Sequence, residues 1–382
     1  MVYFDNAAGT QPYQEVIDVM VDVMQNKWHN PSAPYGAANQ AHSIIEGVRE
    51  QIADDISCAP DEIIFTSGAC EANSLAIQGM QKTNPTLNLI TTQLEHTSLL
   101  DVATNEFLPY KLKLLKNDEC GFVDLKELDD LLDDPDDIYS NKKLVSICAA
   151  NSEIGVKQDI KFIAKIVHEN NSILHVDATQ LFPEQVIDVP DLDIDLMSVS
   201  AQKFGGPRGV GFLYVKRGIK LTPIIYGSQE SSLRGGTYNT AAIAGMGKAL
   251  ELTRKYNTMG ARDYTEALRD ELLGKLLTIP GTHLNGPLPG PNRLVNNISL
   301  TVDGVDAEVL TTMCDTYGFM IAKGSACQSY EQVPSKTLTA IGLTPEQAYS
   351  TIRITLGADN TMKEVTGFCE IFTKIVERIR QV

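Results

Sequence analysis

The chain has 382 residues, of which 43% are hydrophobic and 21% charged, and its formal net charge is −17. This composition is typical of a folded globular enzyme and argues against a disordered chain, and the length suits one large domain with a smaller one. A strongly acidic chain repels a phosphate backbone, so we expect no direct nucleic-acid partner.

The first residues, Met-Val-Tyr-Phe-Asp-Asn, have neither the basic region nor the apolar stretch of a signal peptide, and no later apolar run reaches membrane-spanning length. We therefore expect a cytoplasmic protein without a membrane partner. The seven cysteines form no Cys-x-x-Cys pair and are odd in number. This favours reduced thiols over a disulfide framework or a structural zinc site, and we expect no metal.

Short apolar segments recur through the first part of the chain and predict buried strands. They cover 63–65, 87–91, 144–148, 173–176, 196–199 and 210–215. Segments with helical spacing, including 71–80 and 160–169, separate several of them. Strands alternating with helices predict an α/β fold with a mostly parallel sheet covered on both faces.

Beyond about residue 255 the pattern changes. An amphipathic helix is predicted at 261–277, a strand at 297–302 and a closing helix at 363–379. We expect a large domain at 13–254 and a smaller domain formed by 1–12 and 255–382.

Polar residues follow the predicted strands, where ligands of parallel sheets bind. They are Thr66-Ser67-Gly68, His96, Asn151, Asp177 and Lys203. A lysine amine can hold an aldehyde as a Schiff base, and a carboxylate such as Asp177 can keep a pyridine nitrogen protonated. Together Lys203 and Asp177 predict a pyridoxal phosphate site. The alternative for Lys203 alone is a solvated loop lysine, and the alternative for Asp177 alone is a residue that caps a turn.

The phosphate of such a cofactor would suit the segment 66–71, because it leaves a strand and enters a helix, so that unpaired N–H groups face an anion. An ordinary helix cap is the alternative. His96 follows a predicted strand, and its imidazole could stack on a pyridine ring and move protons near neutral pH. A purely structural histidine is the alternative.

Two further candidates lie in the last third of the chain. Arg353 is in the apolar segment Thr-Ile-Arg-Ile-Thr-Leu-Gly, where a buried guanidinium needs a carboxylate or phosphate partner. A substrate carboxylate or an internal ion pair would serve equally. Cys327 precedes a polar stretch that predicts an exposed loop, which favours a reactive thiol over an inert buried one.

In this ordered set of motifs the chain closely resembles the pyridoxal-phosphate-dependent cysteine desulfurases, within the wider class V aminotransferase family. The resemblance covers nearly the whole chain. The motifs are Phe4-Asp5-Asn6-Ala7-Ala8, Asn30-Pro31-Ser32, Ile64-Phe65-Thr66-Ser67-Gly68, Glu95-His96, Asn151-Ser152-Glu153-Ile154-Gly155, the Asp177 and Lys203 segments, Arg234-Gly235-Gly236-Thr237, Gly324-Ser325-Ala326-Cys327 and Arg353.

The resemblance implies a fold type I enzyme with a mostly parallel seven-stranded sheet. It also implies a homodimer with two sites at the subunit interface, in which Thr237 reaches the phosphate of the neighbouring subunit. By the same resemblance Lys203 is the Schiff-base lysine, His96 stacks on the ring and Cys327 is the nucleophile. The implied cofactor contacts are Ala69, Cys70, His96, Ser152, Asp177, Gln180, Ser200, Gln202, Lys203 and Thr237, and the implied substrate contacts are Asn151 and Arg353.

The reaction that the resemblance implies converts L-cysteine to L-alanine and leaves the sulfur on Cys327 as a persulfide. The form Gly-Ser-Ala-Cys with a long following loop is similar to the subgroup that delivers sulfur to scaffolds for iron-sulfur clusters or to tRNA-thiolation proteins. We expect such an acceptor as a partner, chosen by the Cys327 loop and the C-terminal helix.

Three positions depart from the usual family pattern. Gln202 replaces histidine, Ser152 replaces a second asparagine, and Cys70 replaces threonine in the phosphate loop. Gln202 cannot carry a positive charge, and a thiol is a weaker hydrogen-bond donor than a hydroxyl. We therefore expect looser cofactor binding and a specialised or slow enzyme.

Other activities are compatible with these motifs. A selenocysteine lyase, or a class V enzyme with another amino-acid substrate, would keep the cofactor and be distinguished by what happens when Cys327 is replaced. A degenerate, non-catalytic copy kept as a binding partner fits the three departures but not the retained Lys203, His96 and Cys327.

Overall fold

The computed structural model describes residues 1–133, 142–324 and 333–381. The strands are β1 (Val2–Tyr3), β2 (Ile63–Thr66), β3 (Asn88–Thr92), β4 (Leu112–Leu115), β5 (Lys143–Cys148), β6 (Ile173–Asp177), β7 (Leu196–Ser200), β8 (Gly211–Val215), β9 (Thr282–Leu284), β10 (Asn297–Val302), β11 (Phe319–Met320), β12 (Ala322–Lys323) and β13 (Thr351–Thr355). The α-helices are α1 (Gln14–Asn26), α2 (Gly36–Ile56), α3 (Ala69–Thr83), α4 (Thr97–Glu106), α5 (Leu125–Leu132), α6 (Ile160–Glu169), α7 (Thr240–Thr258), α8 (Ala261–Leu276), α9 (Ala307–Thr316), α10 (Lys336–Ala340), α11 (Pro345–Tyr349) and α12 (Met362–Arg380).

The main sheet has seven strands in the order β2-β8-β7-β6-β5-β3-β4. All neighbours from β7 to β4 are parallel, whereas β8 runs antiparallel to both β2 and β7. The predicted α/β fold with a mostly parallel seven-stranded sheet is therefore confirmed.

Helices cover both faces of this sheet, because alternate residues of a strand point to opposite faces. Ile64, Leu144 and Leu196 pack into a core with α3 and α4. The next residue of each strand, as in Phe65, packs into the other core with α2, α6 and α7. Burial on both faces explains why these strands read as continuous apolar runs.

Of the seven strands of the main sheet, the edge strand β4 was not predicted from the sequence. Its sequence Leu-Lys-Leu-Leu alternates a charged residue with leucines, and Lys113 and Leu114 are exposed. It pairs with β3 in parallel, and that tertiary pairing makes it a strand.

A second, antiparallel sheet has the order β12-β13-β10-β9 and shares a separate apolar core with α8, α9 and α12. The strand predicted at 297–302 and the helices predicted at 261–277 and 363–379 correspond to β10, α8 and α12. The start of the chain joins this part, since β1 pairs with β11 and Phe4 is buried in the same core. In the described part of the chain, no helix is both long and apolar enough to cross a membrane.

Candidate active site

A cavity of about 440 Å³ lies at the carboxyl ends of the parallel strands. It is lined by residues that follow β2, β3, β5, β6 and β7, together with the N-terminal segment and residues of the second sheet region. The predicted site residues in its lining are Ala69, Cys70, His96, Asn151, Ser152, Asp177, Gln180, Ser200, Gln202, Lys203 and Arg353. The fold thus brings together predicted site residues that are up to 284 positions apart, from Ala69 to Arg353.

Lys203 lies in the short 3-10 turn Ala201–Lys203 that follows β7. Its Nζ donates hydrogen bonds to the carbonyl oxygens of Ala7 at 2.6 Å and Ala8 at 3.0 Å. The Ala7 carbonyl also accepts a hydrogen bond from Gln180 Nε2 at 3.1 Å. The N-terminal segment therefore holds both side chains at the cavity.

Asp177 is the last residue of β6 and is buried. Asn73 Nδ2 donates to its Oδ2 at 2.8 Å, and the Thr179 amide donates to its Oδ1 at 3.0 Å. Each carboxylate oxygen thus has a donor, which fixes the plane of the carboxylate. Sequence reasoning did not single out Asn73; the signal was an asparagine within the apolar pattern of the helix after the phosphate segment.

The predicted phosphate segment forms a tight turn from β2 into α3. Gly68 has φ of 141°, a backbone conformation that favours glycine, and α3 begins at the next residue, Ala69. The first-turn amides of α3 and the exposed Cys70 thus lie at the cavity, with Ser200 and Gln202 also in its lining. Such a helix start is an anion site.

His96 is the N-cap of α4, and its Nδ1 accepts a hydrogen bond from the Ser98 amide at 3.1 Å. Because Nδ1 is an acceptor, the neutral ring carries its proton on Nε2. Ser98 Oγ also lies 2.8 Å from Nδ1. These contacts orient the exposed imidazole at the cavity.

Glu95 precedes His96 and is buried in the cavity wall. Its Oε1 accepts hydrogen bonds from Thr92 Oγ1 and from the Cys148 amide, both at 3.0 Å. Burial, opposed by the Cys148 amide and assisted by the negative charge of Asp177, raises the pKa of Glu95 to about 8. Sequence reasoning quoted Glu95 only as part of a motif and gave it no role.

Asn151 is buried, and its side chain is used within its own turn. Its Nδ2 donates to the Leu94 carbonyl at 2.7 Å, and its Oδ1 accepts from the amides of Glu153 and Ile154. One N–H of the amide is left for a ligand. Asn151 therefore shapes the cavity wall as well as lining it.

Arg353 is on β13 and is buried, with Nη2 donating to Asp5 Oδ1 at 2.6 Å. The internal ion pair considered from the sequence is thus present. Its Nε is also buried, and no hydrogen-bond acceptor for it occurs in 1–133, 142–324 or 333–381. Arg353 is also part of the cavity lining.

Two predicted residues lie elsewhere. Thr237 is exposed and is not part of the cavity lining among the described residues. Cys327 lies outside the described residues, although Gly324, which precedes its segment, and Ser335, which follows it, both line the cavity.

The residues of the cavity fit pyridoxal phosphate. An amine, a buried carboxylate and a helix N-terminus occur in one cavity, which matches the aldehyde, ring nitrogen and phosphate of that molecule. In addition, Thr179 Oγ1 and Glu95 Oε2 are buried without a hydrogen-bond partner in the described part of the chain. Buried polar atoms of this kind are normally satisfied by a ligand or water.

Comparison with known proteins agrees with this geometry. The model of the family described as "Aminotransferase class-V" matches residues 2–368. The chain is 36% identical to "Cysteine desulfurase IscS" of Clostridium botulinum (strain Hall), covering 100% of this chain and 96% of the relative.

Solved structures show the same similarity. A "NIFS-LIKE PROTEIN" superposes with a TM-score of 0.90 at 31% identity and covers 99% of both chains. A structure described as "SspA in complex with cysteine" superposes with a TM-score of 0.80 at 30% identity, covering 94% of this chain and 100% of that one.

Proposed function

The chain belongs to the aminotransferase class-V family and, within it, to the cysteine desulfurases, and we propose how its own residues perform that reaction. The observation that carries the proposal is the common cavity of Lys203, Asp177 and the start of α3. The substrate is L-cysteine, an assignment supported by the cysteine complex of the similar SspA structure.

Pyridoxal phosphate, when bound, supplies an aldehyde that condenses with amines and a ring that accepts electrons from the substrate. Lys203 would hold the aldehyde carbon, and Asp177 the ring nitrogen. The amides of Ala69 and Cys70, with Ser200 and Gln202, would hold the phosphate. Gln180 and Ser152 would contact the remaining polar atoms of the ring, and His96 would stack on its face.

The carbonyls of Ala7 and Ala8 hold the Lys203 amine at the cavity, where it would be available to the aldehyde. His96 is the residue we assign to proton transfer at the substrate, since its Nε2 carries the proton of the neutral ring.

Arg353 binds the substrate carboxylate in this proposal, with Asn151 as the second contact. The position of Arg353 in the cavity lining supports the assignment, because a guanidinium binds carboxylates well. Asp5 holds Nη2 and so orients the guanidinium.

Cys327 completes the reaction. Its sulfur attacks the sulfur of the substrate, the bond between that sulfur and the substrate β carbon breaks, and a proton replaces the lost sulfur. L-Cysteine and the Cys327 thiol thereby become L-alanine and a Cys327 persulfide, which balances all atoms. The family relationship supports this role.

The unit of function is a homodimer. Thr237 would contact the phosphate of the partner subunit, which is consistent with its exposure outside its own cavity. Helix α1 also carries the exposed apolar residues Ile17, Val21 and Met24. The mass of the protein in solution, measured by light scattering, tests this assignment.

The proposal includes the domain boundaries, the sulfur acceptor and the cellular location. The domains are 13–254 and the combination of 1–12 with 255–382, which separate apolar cores support. The sulfur acceptor is an iron-sulfur scaffold or a tRNA-thiolation protein, and the location is the cytoplasm. The relationship to cysteine desulfurases supports a partner that accepts sulfur.

An absorption spectrum of the purified protein with pyridoxal phosphate, recorded before and after L-cysteine is added, tests the function. We expect a visible band that shifts with cysteine, and equal amounts of alanine and sulfide in the presence of a reductant. Lys203→Ala should abolish the band, and Cys327→Ala should abolish sulfide release while the band persists. A cofactor band without alanine production would contradict the proposal.

A further inference from the structure

The strand that leads into the phosphate segment, β2, is an edge strand. It pairs only with β8, and its outer side has no neighbouring strand among the described residues. Along such an edge the backbone groups of every second residue point away from the sheet and need other partners. Ile63, Phe65 and Ser67 are these residues here.

A buried ion pair between Arg49 and Glu230 provides hydrogen-bond partners for the outward backbone groups of Ile63 and Phe65. Arg49 Nη1 donates to the Ile63 carbonyl at 2.5 Å, and Glu230 Oε2 accepts from the Phe65 amide at 2.8 Å. Arg49 and Glu230 also bind each other through two contacts of 2.8 and 3.0 Å. Burial opposes the charge of Arg49, but Glu230 outweighs that effect and raises the pKa of Arg49.

A second ion pair, between Glu71 and Arg234, provides the partner for the backbone amide of Ser67. Glu71 Oε2 accepts from the Ser67 amide at 2.8 Å, and Arg234 Nε donates to Glu71 Oε1 at 2.8 Å. Burial would raise the pKa of Glu71, but the hydrogen bonds from Arg234 and Ser67 outweigh it and lower that pKa. Successive outward amides of the edge are therefore capped by two carboxylates, Glu230 and Glu71.

Glu230 and Arg234 belong to the same short stretch of chain, and this stretch is strained. Glu230, Ser231 and Ser232 have φ of 48°, 54° and 66°. Left-handed conformations in residues other than glycine are unfavourable and persist only where surrounding contacts enforce them. The stretch continues directly into Gly235, Gly236 and Thr237.

We propose that Glu230 and Arg234 are positioning residues that set the phosphate end of the cavity. Together with Arg49 and Glu71 they fix the backbone of Ser67–Cys70, and with it the direction of the amides that face the anion. The same contacts hold the stretch that carries Thr237. One set of ion pairs therefore fixes both the phosphate segment of its own subunit and Thr237, the residue proposed to contact the phosphate in the partner subunit. The inference rests on the proposed binding of pyridoxal phosphate.

The test compares pyridoxal phosphate with pyridoxal, which lacks the phosphate, on the full-length protein freed of cofactor. Glu230→Gln keeps the shape and one acceptor but removes the charge that binds Arg49. We expect the dissociation constant of pyridoxal phosphate to rise at least tenfold and that of pyridoxal to change less than twofold. The phosphorus NMR signal of the bound cofactor should also shift.

Arg234→Gln is the second variant, because Arg234 is only half-buried and its replacement is less costly to the fold. Asp195→Asn is the matched control. Its buried carboxylate also accepts a strand amide, that of Leu174 at 3.0 Å, and pairs with Lys216. It lies at the opposite end of β6 from Asp177, so we expect wild-type binding of both compounds.

The outcomes separate the two levels of the proposal. If both variants weakened the binding of pyridoxal phosphate and of pyridoxal equally, the effect would be a general structural one and the positioning role would be overturned. Unchanged binding of pyridoxal phosphate in both variants would overturn it as well. If the wild-type protein bound neither compound, the proposed function would fail first and the inference with it.

Discussion

Asp5 and Arg353 lie 348 positions apart in the chain and form an ion pair with a 2.6 Å contact at the edge of the cavity. Asp5 holds Nη2 of the guanidinium, while the buried Nε has no acceptor within the described residues. Asp5 thus fixes the orientation of the Arg353 guanidinium, and Arg353 also lines the cavity.

The first prediction follows from this pair. Asp5→Asn should raise the KM for L-cysteine about tenfold, equivalent to about 1.4 kcal/mol of binding, and change kcat less than about twofold. The reason is that the guanidinium loses the partner that orients it but keeps its charge. Steady-state kinetics measure both constants, with Glu308→Gln, which removes the exposed Lys323 pair, as the control. A fall in kcat at constant KM would contradict the role.

The second prediction concerns the phosphate segment. Cys70→Thr replaces an exposed thiol on the first turn of α3 with a stronger donor, so we expect the dissociation constant of pyridoxal phosphate to fall by about three- to tenfold. Equilibrium titration of cofactor-free protein measures it. Cys120→Thr, at a half-exposed thiol outside the cavity lining, should leave the constant unchanged. Equal affinity of the Cys70 variant and the wild type would place this side chain away from the phosphate.

The third prediction concerns pH. The Glu95 carboxyl keeps its proton to about pH 8 in the folded chain, chiefly because it is buried, whereas its ordinary value is 4.5. Between these values the unfolded chain binds fewer protons, so this residue lowers the free energy of unfolding by about 1.4 kcal/mol per pH unit as the pH rises. The stabilisation is complete below pH 4.5 and is lost by about pH 8.

Glu95→Gln cannot titrate and removes this dependence. The free energy of unfolding of the variant, relative to wild type, should increase steadily when urea denaturation is repeated from about pH 5.5 to 7.5. Glu377→Gln, on an exposed part of α12, should show a constant difference. Parallel curves for the Glu95 variant and wild type would mean that the buried carboxyl is already ionised at low pH.

The fourth prediction concerns packing beneath the phosphate segment. A methyl group on Gly211 in β8 would overlap the Val199 carbonyl and lie 2.8 Å from the Cα atom of Gly68. Gly211→Ala should therefore lower the free energy of unfolding by about 1–3 kcal/mol and weaken cofactor binding. Gly274→Ala, in α8 with open space around it, should be neutral or stabilise by roughly 0.5–1 kcal/mol. Thermal unfolding measures both effects: we expect a lower midpoint than wild type for Gly211→Ala and an equal or higher midpoint for Gly274→Ala.

The sequence was most informative where one local rule dominates. Strands buried on both faces produce apolar runs, and all six of the predicted runs became strands of the main sheet, with polar residues at their carboxyl ends. Lys203 and Asp177 were recognisable because binding of pyridoxal phosphate requires an amine and a carboxylate, and because Lys203 follows β7 and Asp177 ends β6.

The remaining features depend on contacts between distant parts of the chain. Asn73 reaches Asp177 across 104 positions, and Glu230 reaches Phe65 across 165. Neither residue has a local pattern that indicates its partner. The same holds for the carbonyls of Ala7 and Ala8, since a backbone acceptor is invisible in a sequence until the fold brings a donor to it.

The pairing of β1 with β11 has a consequence for synthesis of the protein. Val2 is paired with Phe319, and Asp5 with Arg353, so these contacts form only after the distant partner residues have been synthesised. The main sheet, whose last strand ends at Val215, can assemble much earlier. At roughly 5–20 residues translated per second, Lys203 and Asp177 are synthesised several seconds before Arg353, so the residues of the cavity come together only late in synthesis.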